Sequence, residues 1–309
     1  TLDGPSMARA EGNNAAFMSL VRTETDGVLR EFADTLAFEL FRDGNGIRGR
    51  RSSASTNVIT LTVADDARNF KPGMTIGASS SADGTSPRVG STYVTAVDED
   101  AGTVTLNSAA AIASFADNDY LFRPGDPGYC VEGLESHFPL SSSGLATSWR
   151  GIDRSADPRR LAGVRVDDTA TSIEENAGLT AVKIHQTGKT ADTLFLNPIN
   201  FWQVVRRLNA KVTYDGGGNK AAYGFQGIDV HTPAGTLRAV SDPDCPTNRG
   251  RVLSMDCLYV KHLKGVPHVI TADGLPQLRQ ASADGLEARM RVMWNLICAE
   301  PGACGVFSI

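Results

Sequence analysis

A chain of 309 residues with 41% hydrophobic content is long enough to bury one large or two ordinary cores, which places it in the globular class and excludes disorder. No run reaches the roughly 18 consecutive apolar residues of a membrane span, and the start at Thr1 lacks a signal-peptide pattern, so the reading expects a soluble, unsecreted protein with an upstream portion removed. The net charge of −5 argues against nucleic-acid binding as the main task, because phosphate affinity comes from Lys and Arg displacing counterions.

After a polar leader (1–14), Phe17, Val21, Val28, Phe32, Leu36 and Leu40 recur at steps of four or seven and predict a helix from Ala15 to Arg42. At 1.5 Å per residue it runs about 40 Å. Asn13 or Asn14 suits its cap, and Asp43-Gly44-Asn45-Gly46 supplies the left-handed residue that ends it. Gly27 interrupts the pattern at a cost of about 1 kcal/mol relative to Ala, marking either a surface position or a bend. From Asn57 the period changes to two. Val58–Val63, Ser91–Val97, Thr103–Leu106 and Tyr120–Phe122 read as short strands, with Asp98–Gly102 as a hairpin turn, so 55–126 is expected to be an inserted all-β module.

Residues 127–166 read as loop, with Arg150, Arg154, Arg159 and Arg160 interleaved with Asp153 and Asp157. That mixture suits inter-subunit ion pairs or a solvated face. A helix over Thr171–Gln186 follows, then a buried strand Thr193–Leu196 and a helix from Pro198 through Leu208, where an early Pro is harmless. Gly227–His231 and Thr236–Val240 form a hairpin pattern, and apolar pieces at Val252–Leu263, Val266–Ile270, Ala288–Ala299 and Gly305–Ile309 read as further strands.

The search for chemistry finds no phosphate loop, dinucleotide fingerprint, HExxH pair or GxSxG elbow. Gly216-Gly217-Gly218 lacks the Lys-Ser/Thr sequel of a phosphate cradle. The five cysteines are an odd, scattered set read as reduced thiols, and none of their spacings matches a zinc pattern. His262 and His268, near Cys257 in sequence, are the closest approach to a ligand cluster. Cys245 beside Asp242 and Asp244 is unsuited to nucleophilic work, because negative neighbours raise a thiol pKa. The expectation is a chain that is not an enzyme, with no catalytic, cofactor or metal-binding residues.

One set of features does form an ordered series. The strand Thr193–Leu196, the corner Asn197-Pro198, the helix with Trp202 and the Lys211–Gly218 loop resemble the opening of the axial domain in tailed-phage capsid proteins of the Hong Kong 97 type. Gly224–Val230 resembles their "G-x-P-V" strand, with Asp229 in place of the Pro; Ala239–Pro246 resembles the strand and Pro turn that follow, and Gly285–Trp294 with Cys298–Ala303 the closing strand and terminus. The first helix and Asp43–Gly46 then look like the spine helix and its turn.

The resemblance implies an α+β capsid fold with a long spine helix, peripheral and axial domains, and an inserted all-β module. Its parts are a truncated arm and extended-loop region (1–14), spine helix and turn (15–54), β insertion (55–126), peripheral loops and helix (127–191), axial domain (192–284) and C-terminal peripheral strands (285–309). It implies a subunit that assembles into pentamers and hexamers of an icosahedral shell around double-stranded DNA, in the host bacterial cytoplasm, with decoration, portal, scaffolding or protease partners. Arg48, Arg50 and Arg51 are candidates for either lumen-facing phosphate contact or inter-subunit pairing; Gly27, Arg154, Arg159, Arg160 and Trp202 are further interface or structural candidates. An encapsulin-like or gene transfer agent shell shares the architecture, and a ligand-binding protein or enzyme built on the β module is the alternative of a different class.

Overall fold

The computed structural model describes residues 2–3, 14–109, 113–141, 145, 149–208, 228–264, 268–271, 278–279 and 285–309. The chain forms two compact units, Thr1–Phe38 with Tyr259–Ile297, and Glu39–Leu258 with Cys298–Ile309. The Gly216–Gly218 loop, the Gly224–Gly227 segment and most of the leader lie outside the described residues.

In the smaller unit the predicted first helix is present as α1 (Asn14–Phe41), whose residues up to Phe38 belong here. It runs unbroken through Gly27, where a Cβ would meet nothing within 4 Å. Its apolar positions are only partly covered: Phe38 and Phe41 near its end are buried, whereas Val28 is 41% exposed. Among the described residues, the unit also has a three-stranded sheet of Leu2–Asp3, Gly285–Glu287 and Leu278–Arg279, and the strand pairs His268–Val269 with Met290–Arg291 and Leu258–His262 with Trp294–Cys298.

The larger unit carries a closed barrel of β1 (Ile47–Ser55), β2 (Val58–Leu61), β3 (Thr75–Ser79), β4 (Thr92–Asp98), β5 (Thr103–Leu106) and β6 (Tyr120–Phe122), in the order β1-β2-β5-β4-β3-β6. Alternate residues point inward, so Ile59 and Leu61, Ile76 and Ala78, Val104 and Leu106 share one core with Val94, Phe115 and Leu121. A 3-10 turn, Ala64–Asn69, brings Ala67 and then Phe70 against that core. Each such large side chain removed from water stabilises the fold by roughly 1.5–3 kcal/mol. Closure depends on β1, which pairs with β2 at one end and β6 at the other, with register shifts at Arg51/Ser53 and Ile47/Gly49 that bend it across both neighbours.

The barrel therefore begins at Ile47, inside the segment expected to be helix and turn, and includes Thr75–Ser79, which the sequence reading omits. The reason is compositional. Ile47–Ser55 reads IRGRRSSAS, with Arg and Ser where a half-buried strand usually shows alternating apolar residues.

A six-stranded mixed sheet follows: β7 (Val164–Val166), β8 (Thr193–Leu196), β9 (Ile228–Thr232), β10 (Gly235–Ser241), β11 (Arg249–Leu253) and β12 (Gly305–Ser308), in the order β9-β10-β8-β11-β12-β7. The expected hairpin is β9-β10, with Val230 opposite Leu237. Two placements differ from expectation. β7 lies in the stretch read as loop, and β12, expected with the strands of 285–309, sits between β11 and β7 in the same sheet as β8–β11. β12 is buried along its whole length, which suits an interior position better than an edge.

Helix α2 (Ile173–His185) covers this sheet with Ile173, Ala177, Ala181 and Ile184, at the spacing that puts them on one face. Ser172 caps it by accepting the Glu175 N–H at 3.3 Å, and its hydroxyl lies 3.2 Å from the Glu175 carboxylate. Helix α3 (Pro198–Leu208) adds Val204 to the same core. The Asn-Pro corner before it is structural: buried Asn197 accepts the Ile199 N–H at 3.0 Å and donates to the Cys245 carbonyl at 2.9 Å. Two short helical turns, Leu134–His137 and Pro158–Leu161, interrupt the region expected to be loop.

Candidate assembly surfaces and a cysteine cluster

The arginines singled out by sequence divide into those bound within the chain and those left at the surface. Arg48 is buried and reaches the Asn69 carbonyl at 3.4 Å and Asp126 at 3.5 Å. Arg50 lies over the Tyr120 ring at 5.1 Å and donates to the Asn118 carbonyl at 3.0 Å. Arg51 pairs with Asp117 at 3.1 Å and donates to the Phe115 carbonyl at 2.7 Å. All three make contacts within the chain beside the barrel strands.

Arg154 is held inside the chain as well. It is buried, donates to the Ser136 carbonyl at 2.7 Å and lies 4.4 Å from the centre of the Trp149 ring, which also meets His137 edge-on at 5.0 Å. Burial lowers its pKa, with Glu132 acting in the opposite direction. Arg159 and Arg160 are exposed, and Arg160 stands 3.6 Å from Asp157 in the same short helical turn.

A charged cluster joins Glu135, which the sequence offers only as an acidic neighbour of Glu132, to two arginines more than a hundred residues away. Glu135 pairs with both Arg249 and Arg251, and Arg251, fully buried, also donates to the carbonyls of Leu134 at 3.3 Å and Phe138 at 3.2 Å. Burial alone pushes the Glu135 carboxyl up, but the two guanidinium groups outweigh it and hold it below the ordinary carboxylate range. The neighbouring cleft of about 170 Å³ is lined by Phe41, Ile47, Arg42, Asp66, Glu135 and Arg249 among others. Its charged walls pair with one another, Arg42 with Asp66 at 3.7 Å and Arg249 with Glu135.

Apolar side chains stand at the surface in two places. On α3, Trp202 is 61% exposed with Ile199 one turn before it, while Val204 and Val205 face inward. In the smaller unit, the ribbon of Leu258–His262 and Trp294–Cys298 exposes Tyr259, Val260 and Ile297, with Leu263 just beyond it 64% exposed. Tyr259 and Val260 are consecutive, so they project to opposite faces and both faces of the ribbon present apolar groups.

The cysteines give the largest surprise. Cys257, Cys298 and Cys304 converge until their sulfurs lie within 4.8 Å of one another, at 3.9 Å for Cys257 to Cys298 and 3.4 Å for Cys257 to Cys304. Hydrogen bonds from the Cys298 and Cys304 thiols pull the Cys257 thiol down to about 3, and the same bonds hold the other two above their ordinary value. The sequence conceals the group because the Leu258–His262 and Trp294–Cys298 pairing brings together residues 41 apart. Cys245, by contrast, is pushed up to about 12, by burial first and by Asp242 only in a lesser way, with Arg251 opposing.

No family model and no curated protein matches the chain. Among solved structures, the chain is similar to a chain of the "Cyanophage A-1(L) capsid asymmetric unit", with 14% identity and a TM-score of 0.40 over 59% of this chain and 61% of that one. Among the described residues, no helix is long and apolar enough to cross a membrane.

Proposed function

We propose that this protein is the major capsid protein of a tailed double-stranded DNA phage, a shell subunit of the Hong Kong 97 type whose exposed apolar surfaces are covered by further copies of itself. The observation that carries the reading is the ribbon of Leu258–His262 and Trp294–Cys298. A two-stranded ribbon with Tyr259, Val260 and Ile297 exposed is marginal in water and is stabilised when something covers it. Val28 on α1 and Trp202 on α3 add uncovered apolar groups on two further elements.

Self-association answers this economically. In a closed symmetric assembly each subunit repeats the same modest contacts, and their sum is strong although each is weak. Pentamers and hexamers of one subunit then enclose the packaged DNA, and the assembled particle is a virion capsid formed in the host cytoplasm. A net charge of −5 suits a wall that contains DNA without trapping it. The barrel of β1–β6 is a self-contained module with its own core, suited to contacts between capsomers or with decoration proteins.

Substitution on the ribbon tests the reading. Val260 is exposed, so Val260→Asp leaves the fold intact while placing a charge in the contact. Circular dichroism is expected to match the parent, and size-exclusion chromatography is expected to show small species where the parent elutes as large particles. Particles of unchanged size and yield from Val260→Asp and from Trp202→Asp together contradict the assignment of these surfaces.

A further inference from the structure

The three-cysteine cluster has a geometry that hydrogen bonding alone does not require. Zinc holds thiolates at about 2.3 Å in a tetrahedron, which sets neighbouring sulfurs about 3.8 Å apart. Cys257 meets its partners at 3.9 and 3.4 Å, and all three sulfurs fit within a 4.8 Å span. Cys257 and Cys304 are buried and Cys298 half-buried, so the trio is enclosed with one side toward the surface.

The backbone meets the sulfurs in two ways. The Cys257 thiol donates to the Ser254 carbonyl at 3.0 Å, a bond given up when the proton leaves. The loop from Cys298 to Cys304 turns through the 3-10 segment Pro301–Ala303, and the Glu300 N–H is directed at the sulfurs of both Cys257 and Cys298. Such N–H donors stabilise thiolate over thiol. A disulfide between any two members strands the third thiol in the same enclosed site, whereas a metal uses all three.

We propose that Cys257, Cys298 and Cys304 form a zinc site, with three thiolate ligands and a fourth position open on the Cys298 side to water. Binding releases the thiol protons to solvent, including the one that Cys257 donates to the Ser254 carbonyl, and the resulting charge is one negative unit shared over the three sulfurs. The placement gives the metal a structural task. Cys257 is where the chain leaves the larger unit for Tyr259–Ile297, Cys298 is where it returns, and Cys304 immediately precedes β12, so one ion closes this excursion at its root.

The full-length chain is produced in zinc-supplemented medium and purified under reducing conditions, and its metal content is measured by elemental analysis. One zinc per chain is expected, retained by Cys130→Ser and Cys245→Ser and lost in Cys298→Ser, whose half-buried position makes it the substitution least damaging to folding. Replacing zinc with cobalt(II) is expected to give the sulfur-to-metal charge-transfer absorption of a thiolate site in the parent and not in Cys298→Ser. Metal-free protein with three titratable thiols, copper in place of zinc, a disulfide within the trio found by peptide mass mapping, or zinc that survives Cys298→Ser each overturns the proposal.

Discussion

Arg251 shows how much of this fold rests on a few buried charges. Its guanidinium is fully buried and held by Glu135 and by the carbonyls of Leu134 and Phe138. Glu135→Ala leaves an uncompensated buried cation and is expected to lower unfolding free energy by about 3–5 kcal/mol, measured by denaturant titration. The pH dependence follows from the direction of the shift. The folded Glu135 carboxyl lies below its unfolded value near ~4.3, so its stabilisation is complete above that pH and is lost as pH falls through the folded value. Glu39 and Asp66 are pushed up by burial and act with the opposite sign. The difference in stability between the parent and Glu135→Gln isolates one group, and it is expected to shrink steadily as the solution is acidified below about pH 4. Thr56 is a second residue with a definite cost: it is exposed, β-branched and left-handed, with φ 56°, in the β1-β2 turn. Thr56→Gly is expected to stabilise the barrel by about 1 kcal/mol, read as a rise in Tm.

At the scale of elements, Gly27 is the position to test in α1. The helix passes through it without interruption and a Cβ there meets open space, so Gly27→Ala is expected to stabilise the helix by about 1 kcal/mol, read from thermal unfolding followed by circular dichroism. A loss of stability contradicts a plain helical position. Periodicity made α1, α2, α3 and the β9-β10 hairpin legible in the sequence, because one face of each meets a core or solvent in a regular way. It hid β1, whose inward positions include Gly49 and whose arginines pair along the barrel seam, and it hid β7, three residues long between turns. The candidate site residues were legible as chemical types but not as roles. Arg48 and Arg154 look like surface cations in the sequence, and only the folded chain brings Asn69, Asp126, Ser136 and Trp149 to them. Trp202, Arg159 and Arg160 are the side chains of that set that stand exposed. The cysteine trio needed a long-range strand pairing that no local spacing announces.

At the scale of the whole molecule, the proposed shell role depends on surfaces that a lone chain leaves in contact with water. The barrel and the six-stranded sheet each have a core of their own, while the ribbon, the middle of α1 and the outer face of α3 keep apolar groups exposed. Single exposed residues such as Val28 are ordinary, whereas the neighbouring Tyr259 and Val260 on the ribbon, with Leu263 just beyond it, form the kind of group that a partner covers. In the proposed shell, contacts between copies cover them, and symmetry lets one sequence do so many times. The most direct measurement is therefore the mass and appearance of the purified full-length chain under native conditions, by analytical ultracentrifugation together with negative-stain electron microscopy. Closed shells of megadalton mass with five-fold and six-fold capsomers are expected; a monodisperse monomer over the same concentration range rules out the proposed shell subunit.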